Sequence, residues 1–206
     1  MNLLQSLSAG APAAALLLVA IVVASLAALY WKPALLERHM LRPYWLQRRR
    51  EYETLITSGF IHANLAHLFF NSFTLWAFAF SLERTIGTPK FVALYLFGLL
   101  ASSVSTWQRH RANPEYRSLG ASGAILAVLF ASIVYTPGQS IYILPIPVPI
   151  PAPLFAFSYL AYTWYASRQA QGRINHDAHL AGAIAGLVFV LTVDAPAFGR
   201  AVARWL

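Results

Sequence analysis

The sequence contains no cysteine, which excludes disulfide bonds, a thiolate nucleophile and Cys-ligated zinc or iron–sulfur centres. Charged residues are also scarce. They make up 11% of the 206 residues, whereas a typical soluble domain carries about a quarter. Apolar residues account for 58% of the chain. This balance excludes a water-soluble globular domain, a disordered chain and a fibrous protein.

Basic residues outnumber acidic ones, with 15 Lys and Arg against 7 Asp and Glu and a formal net charge of +8. In a soluble protein this excess would suggest a nucleic-acid partner. In a membrane protein, basic loops more often reflect topology and contact with anionic lipid headgroups. Since the composition is that of a membrane protein, we expect membrane lipids as partners and no nucleic acid.

Six apolar stretches recur along the chain, and each is near the roughly 20 residues that a helix needs to cross a bilayer. The first lacks the basic start of a secretory signal, so we interpret it as a retained helix. No internal repeat indicates a transporter built from duplicated halves. The sequence predicts an all-α integral membrane protein, one domain over residues 1–206 with six transmembrane helices. These spans cover residues 12–31, 61–82, 89–108, 119–137, 151–168 and 177–195.

Three connections have distinctive compositions. Residues 32–60 are polar and basic with interspersed Tyr and Trp, which favours an interfacial loop containing short helices. In residues 144–153 proline alternates with apolar residues. Since proline lacks an amide donor, this run cannot continue a helix and favours polyproline II conformation in a connection at the membrane surface. Its role is left open. The polar connection before the last span contains Gly172, a candidate hinge.

Polar residues inside the spans are few, and they cluster at one depth. Polar groups in apolar spans cost free energy, so they are functional candidates by default. Spans alternate in direction, so the second, fourth and sixth all begin on the same side of the membrane. The polar residues lie near those three starts, which predicts a polar site just below one surface. They are His62, Asn64, His67, Asn71, Ser122 and His179.

The types of these residues suggest nucleophilic chemistry. Ser122 lies at a predicted helix N-terminus, where free backbone N–H groups and the helix dipole favour an oxyanion. A serine hydroxyl needs a base to become a nucleophile, and His179 lies at the matching depth. His67 and Asn71 are one helical turn apart and can both donate hydrogen bonds. An oxyanion hole requires such donors.

Small residues indicate where helices approach closely. Gly120 and Gly123 open the fourth span, and Gly182 and Gly186 form a Gly-x-x-x-Gly pair in the sixth. Such faces let membrane helices pack backbone against backbone. We therefore expect the last span to lie against the fourth, close to the face that carries His179.

Three motifs occur in order on spans two, four and six: His67–Asn71 (HxxxN), Gly120–Gly123 (GxSG) and Ala178–Gly186 (AHxxGxxxG). Together they make the chain resemble the rhomboid intramembrane serine proteases. The resemblance covers roughly residues 51–190. A lone GxSG is common, but three motifs on alternate spans are highly specific.

The resemblance implies a minimal six-helix core and a catalytic dyad that uses no metal and no cofactor. Ser122 would be the nucleophile and His179 the general base and acid. His67, Asn71 and the backbone N–H of Ser122 would form the oxyanion hole. Substrates would be transmembrane helices cut near one membrane face, and the fifth span with the loop after it would be a mobile gate.

Some features depart from the family pattern or have a structural interpretation. Some relatives carry an aromatic residue four positions after the serine, stacked on the histidine. Leu126 stands there in this chain, so another group must orient His179. We interpret His62 as structural, tethering the first loop, Asn64 as a local cap, and Asp177 as a helix N-cap. His176 and His179 do not form a zinc site, because no third ligand converges.

Two other functions are weighed. A rhomboid-like protein that binds membrane helices without cutting them is the main alternative, and a small transporter is a weaker one.

We expect a multi-pass protein of a bacterial plasma membrane. Two arguments give opposite orientations for the protein in the membrane. Most basic residues lie in loops on the active-site side, and the positive-inside rule would make that side cytoplasmic. The family resemblance makes that side external, and we favour it. Substrate identity, cleavage site, organism and oligomeric state are open.

Overall fold

A computed structural model describes residues 10–143, 146–169 and 174–205. The first helix, Pro12–Leu26, continues through a π-helical turn to Trp31, and a short 3-10 turn, Ser58–Phe60, follows the helix Thr54–Thr57. Gly172 and the start of the proline-rich run, residues 144 and 145, lie outside the described residues. In chain order the elements are α1 (Pro12–Leu26), α2 (Ala34–His39), α3 (Thr54–Thr57), α4 (Leu65–Ile86), α5 (Thr88–His110), α6 (Ser122–Tyr135), β1 (Ser140–Ile143), β2 (Ile146–Pro151), α7 (Ala152–Gln169), α8 (His176–Val193) and α9 (Ala195–Trp205).

The six predicted spans fall on α1, α4, α5, α6, α7 and α8, and the mainly helical membrane fold is confirmed. Within the described ranges, α1 with its π turn, α4, α5 and α8 are long and apolar enough to cross a bilayer. Helix α6 is apolar but has 14 residues. The second span starts later than predicted because Asn64 caps it, accepting a hydrogen bond from the backbone N–H of His67 at 2.8 Å.

Helix α6 forms the centre of the bundle. Every residue from Gly123 to Val134 is buried, and the helix packs against α4, α5 and α8. The outer helices instead expose apolar side chains, as α1 does at Leu16, Val19 and Val23. These three positions recur at helical spacing on one face, and a face of this kind suits contact with lipid chains.

Helices α6 and α8 meet backbone to backbone. A Cβ added at Gly182 would lie 2.1 Å from the carbonyl oxygen of Gly123, and one at Gly186 would lie 2.3 Å from that of Ala127. Any larger residue at either position would push the helices apart. Because the two contacts follow the same order along both helices, α6 and α8 run parallel and bring their N-terminal ends to one side.

Residues 146–151 of the proline-rich run form a strand of a β-hairpin, so the expectation of polyproline II conformation was wrong for these residues. Strand β2 pairs antiparallel with β1, with Ile150 opposite Ile141. Prolines occupy every second position of β2, and the pairing is irregular between Ile141 and Ile143. Just after the strand, Ala152 N–H donates to the Gln139 carbonyl at 3.1 Å. Proline is tolerated in a strand of this kind because β2 pairs on one side only and lies at the edge of a two-stranded sheet. The hairpin lies at the end of the bundle opposite the start of α6.

Helix α9 was not predicted from the sequence. Asp194 caps it, accepting from the Ala197 N–H at 3.1 Å, and Tyr135 donates to the same carboxylate at 3.3 Å. The Trp205 indole N–H donates to the Pro137 carbonyl at 3.3 Å. Helix α9 therefore covers the ends of α6 and α8 on the side of the hairpin.

A buried carboxylate fastens the N-terminus of α1. Glu83, near the end of α4, is fully buried and accepts hydrogen bonds from the N–H groups of Ala13 (3.1 Å) and Ala14 (2.7 Å). The Thr88 hydroxyl donates to it at 2.6 Å. Backbone donors at a helix N-terminus lack partners within the helix, and a negative charge there is stabilising. Glu83 thus joins α1, α4 and α5 at one end of the bundle.

Candidate active site

Ser122 and His179 lie within hydrogen-bond distance. The Ser122 hydroxyl oxygen is 2.8 Å from His179 Nε2. Ser122 is the first residue of α6, and His179 lies in the first turn of α8. Because these helices run parallel and touch through glycine, their first turns face each other, and the side chains of Ser122 and His179 meet directly.

The turn before Ser122 is held by the first loop. Leu41 and Ser118 exchange two backbone hydrogen bonds of 3.0 Å, and Gly120 N–H donates to the Ser58 carbonyl at 2.9 Å. Gly120 has φ +114°, a conformation that favours glycine. A Cβ at Gly120 would lie 2.5 Å from the imidazole of His67. Residue 120 must therefore be glycine for two separate reasons.

His62 connects α1 with the loop that precedes Ser122. Its ring is fully buried, with Nδ1 3.0 Å from the Ser25 hydroxyl. The Ala121 N–H donates to Nε2 at 3.4 Å, so Nδ1 carries the proton and donates to Ser25. The Ser25 hydroxyl in turn donates to the Phe60 carbonyl at 3.1 Å. These contacts link the first loop, α1 and the residue before Ser122.

His67 and Asn71 line the same cavity as Ser122 and His179. This cavity has a volume of about 1020 Å³ and lies between the N-terminal ends of α4, α6 and α8. The rings of His62 and His67 meet edge to face, with centroids 4.8 Å apart. Asn71 Nδ2 donates to the His67 carbonyl at 2.9 Å, which uses one of its two amide hydrogens.

The other nitrogen of His179 has a partner that the sequence did not predict. The hydroxyl of Tyr159, on α7, lies 3.2 Å from His179 Nδ1. Nothing in the local sequence distinguishes Tyr159 from the other tyrosines of this helix. The signal available was indirect, since Leu126 leaves no aromatic ring for His179 on α6 itself.

Asn175, rather than Asp177, caps the helix that carries His179. The Asn175 side chain accepts from the Ala178 N–H at 3.0 Å and donates to the Thr106 hydroxyl at 2.8 Å. The Asp177 carboxylate instead lies 3.2 Å from His110 Nε2. The expectation that Asp177 caps α8 was therefore wrong. The side-chain amide of Asn175, two residues earlier, is the cap, and the Asp177 carboxylate contacts His110 on α5 instead.

Asp177 and His110 belong to a cluster that closes one wall of the cavity. The His110 ring stacks on Tyr116 with centroids 3.5 Å apart. Arg109 lies 3.9 Å from the second oxygen of Asp177. Burial, and then the nearby Asp177 charge, raise the pKa of Tyr116 to about 12, so this phenol stays neutral at physiological pH. The cluster joins the end of α5 to the start of α8, two residues before His179.

A metal centre has no support in the described part of the chain. Among residues 10–143, 146–169 and 174–205, no group of three or more His, Asp or Glu side chains is arranged to hold a metal ion. The rings of His176 and His179 lie 6.2 Å apart, edge to face.

Sequence comparisons identify the family. The profile of the Rhomboid domain matches residues 49–195. A mouse protein, presenilin-associated rhomboid-like protein, mitochondrial, is 29% identical over 170 residues, covering 78% of this chain and 44% of that protein. Rhomboid protein 1, mitochondrial, of Saccharomyces cerevisiae is 30% identical over 143 residues, covering 66% of this chain and 40% of the relative. Rhomboid protease GluP of Bacillus subtilis is 35% identical over 81 residues, or 39% of this chain and 15% of GluP.

The chain belongs to the rhomboid family of integral membrane proteins, whose members are generally serine intramembrane proteases. It spans less than half the length of these relatives. Their activities, substrates and membranes therefore describe those proteins. The mouse and yeast relatives are named as mitochondrial and GluP comes from a bacterium, so the predicted bacterial plasma membrane stays a prediction.

Proposed function

We propose that this protein is an intramembrane serine endopeptidase that cleaves transmembrane helices with a dyad of Ser122 and His179. The observation that carries the proposal is the 2.8 Å contact between the Ser122 hydroxyl and His179 Nε2. This contact lies at a helix N-terminus inside a polar cavity of a membrane bundle. A serine paired with a histidine base in such a setting suits attack on a carbonyl carbon.

In the proposed reaction, Ser122 Oγ attacks the scissile carbonyl carbon while His179 Nε2 takes the hydroxyl proton. The carbonyl oxygen becomes an oxyanion, which the Ser122 backbone N–H, His67 and Asn71 stabilise by donating hydrogen bonds. His179 then gives its proton to the leaving amine. A water molecule, activated by the same histidine, hydrolyses the acyl-enzyme and restores the Ser122 hydroxyl.

The substrates we propose are helices of other membrane proteins. The cavity lies within a bundle whose outer faces are apolar, so a substrate arrives from the bilayer. A peptide bond inside a helix is shielded by the surrounding turns and must be extended before a serine can reach it. Segments that unwind easily, for example beside small residues, should therefore be cut in preference.

Cleavage of a transmembrane-helix reporter by the purified protein in liposomes tests the proposal. Ser122→Ala and His179→Ala should abolish cleavage and labelling by a fluorophosphonate probe. Asn71→Ala should retain labelling of folded protein but lower kcat by about 100- to 1000-fold, the usual loss for one oxyanion donor. Ser132→Ala, in the same helix but ten residues along, is the matched control and should leave activity unchanged.

Absence of both labelling and cleavage in folded wild-type protein would contradict the proposal. Retained binding of the reporter helix would then favour the alternative of a non-catalytic membrane-helix-binding protein. Cleavage that persists in Ser122→Ala would exclude the dyad as its source.

A further inference from the structure

Tyr159 contacts the ring nitrogen of His179 that does not contact Ser122. Its hydroxyl is 3.2 Å from Nδ1, while Nε2 is 2.8 Å from the Ser122 hydroxyl. The tyrosine ring is itself fixed by two aromatic neighbours. It stacks on Phe155 with centroids 5.5 Å apart and lies 5.8 Å from the ring of Phe130. The phenol is thus held against the histidine by packing that does not involve the hydroxyl.

The protonation state that catalysis needs determines what this contact does. His179 can accept the serine proton at Nε2 only if the resting proton of the neutral imidazole is on Nδ1. His179 is half-buried, and an Nδ1–H that is shielded from water needs an acceptor, because an unpaired donor there is costly. A phenolic oxygen can accept this hydrogen bond, whereas the alternative tautomer would place hydrogen on Nε2 and block proton transfer from Ser122.

Neighbouring acidic and basic groups do not supply this acceptor among the described residues. The Asp177 carboxylate is engaged by His110 at 3.2 Å and by Arg109 at 3.9 Å. The His176 ring is centred 6.2 Å from that of His179. Leu126, on the helix that carries the serine, has no polar atom.

We propose that Tyr159 is the positioning residue of the general base: its phenolic oxygen accepts a hydrogen bond from His179 Nδ1–H and keeps Nε2 directed at Ser122. This inference rests on the proposed protease function. The proton that moves in catalysis travels between Ser122 Oγ and Nε2, and Tyr159 gains and loses none. When His179 becomes an imidazolium, the same hydrogen bond gains strength because its donor is charged.

Tyr159→Phe tests the proposal, since it removes the hydroxyl and keeps the aromatic packing. We expect kcat for reporter cleavage to fall about 10- to 100-fold, as for loss of a hydrogen bond to a charged group, with KM within about twofold. Tyr162→Phe is the matched control, because this exposed tyrosine lies on the same helix and should leave kcat unchanged. Both variants should unfold at the wild-type temperature.

A spectroscopic measurement on the resting protein supplies a second readout. In protein labelled with ¹⁵N-histidine, the His179 signals of the wild type, identified by their loss in His179→Ala, should show hydrogen on Nδ1. Tyr159→Phe should shift this population toward the Nε2–H tautomer. This measurement does not depend on cleavage, so the contact can be tested even if the protease proposal fails.

The outcomes separate the two proposals. If wild type cleaves, Tyr159→Phe cleaves equally fast and the tautomer is unchanged, the positioning role is overturned. A rise in KM alone, or a fall in activity that only follows a lower unfolding temperature, also overturns it. If wild type does not cleave but Tyr159→Phe changes the tautomer, the proposed function fails while the orientation of His179 by Tyr159 stands.

Discussion

Gly120 is the residue at which the backbone of the site is most constrained. Its φ of +114° is unfavourable for any residue with a side chain, and a Cβ would lie 2.5 Å from the His67 ring. We expect Gly120→Ala to lower the free energy of unfolding by about 1–3 kcal/mol from backbone strain alone. Displacement of His67 should also lower reporter cleavage. Thermal unfolding in detergent micelles, combined with the cleavage assay, measures both effects.

Gly199→Ala is the control for this substitution. Gly199 is exposed in α9, and a Cβ there would meet no atom within 4 Å. Since alanine favours a helix more than glycine, this variant should be unchanged or stabilised by about 0.5–1 kcal/mol, with full activity. Equal stability of Gly120→Ala and wild type would contradict the constraint argued at Gly120.

Candidate site residues differed in how far the sequence could predict them. His67, Asn71, Ser122 and His179 belong to motifs with fixed spacing, and the alternating direction of the spans predicts that they share one depth. The structure brings all four to one cavity. Tyr159 escaped prediction because its partner is 20 residues away on another helix. Such a contact depends on how α7 and α8 pack, which no local pattern encodes.

At the scale of elements, the attachment of α1 depends on one buried carboxylate. We expect Glu83→Gln to lower the free energy of unfolding by about 1–3 kcal/mol. The two N–H groups donate to different oxygens of Glu83, and the amide of a glutamine has only one oxygen. Its NH₂ group would therefore face the N–H of Ala13 or Ala14, and two donors cannot form a hydrogen bond. The charge at the helix N-terminus is also lost. Unfolding by SDS titration, followed by circular dichroism, measures the change.

Glu53→Gln is the matched variant, because Glu53 is exposed in the first loop. A surface substitution of this kind should change stability by less than about 0.5 kcal/mol. If Glu83→Gln were as stable as Glu53→Gln, the buried carboxylate would not be what fastens α1.

The sequence predicted which helices exist better than it predicted where they end and which elements they contact. Each of the six apolar runs coincides with a helix, and among the described residues four of these helices are long and apolar enough to cross a bilayer. The β-hairpin was missed because proline excludes helix without revealing a paired strand, and β1 (Ser140–Ile143) is too short to be distinctive. Helix α9 follows α8 after a single residue, Asp194, so its start was concealed within an apolar run.

At the scale of the whole molecule, orientation is the main open choice, and we propose that the active-site side faces outward. The basic first loop and the start of α6 lie on this side, while α9 lies on the other. The absence of cysteine allows a clean test. Gln47→Cys, exposed in the first loop, should react with a membrane-impermeant thiol reagent in intact cells. Gly199→Cys should react only after permeabilisation.

The unsubstituted chain is the control for this experiment and should not be labelled under either condition. Labelling of residue 199 but not of residue 47 in intact cells would reverse the proposed orientation. The positive-inside rule would then hold, and cleavage would take place at the cytoplasmic face.

The attachment of α1 to Glu83 also has a consequence for biosynthesis. The acceptor for the N–H groups of Ala13 and Ala14 lies 70 and 69 residues downstream. When α1 leaves the ribosome and enters the bilayer, its first turn therefore has no protein partner and must stay hydrated near the headgroups. Only after α4 has inserted does the carboxylate arrive and replace that water. Helix α1 is synthesised before α4 but thus reaches its final position only after α4 has inserted.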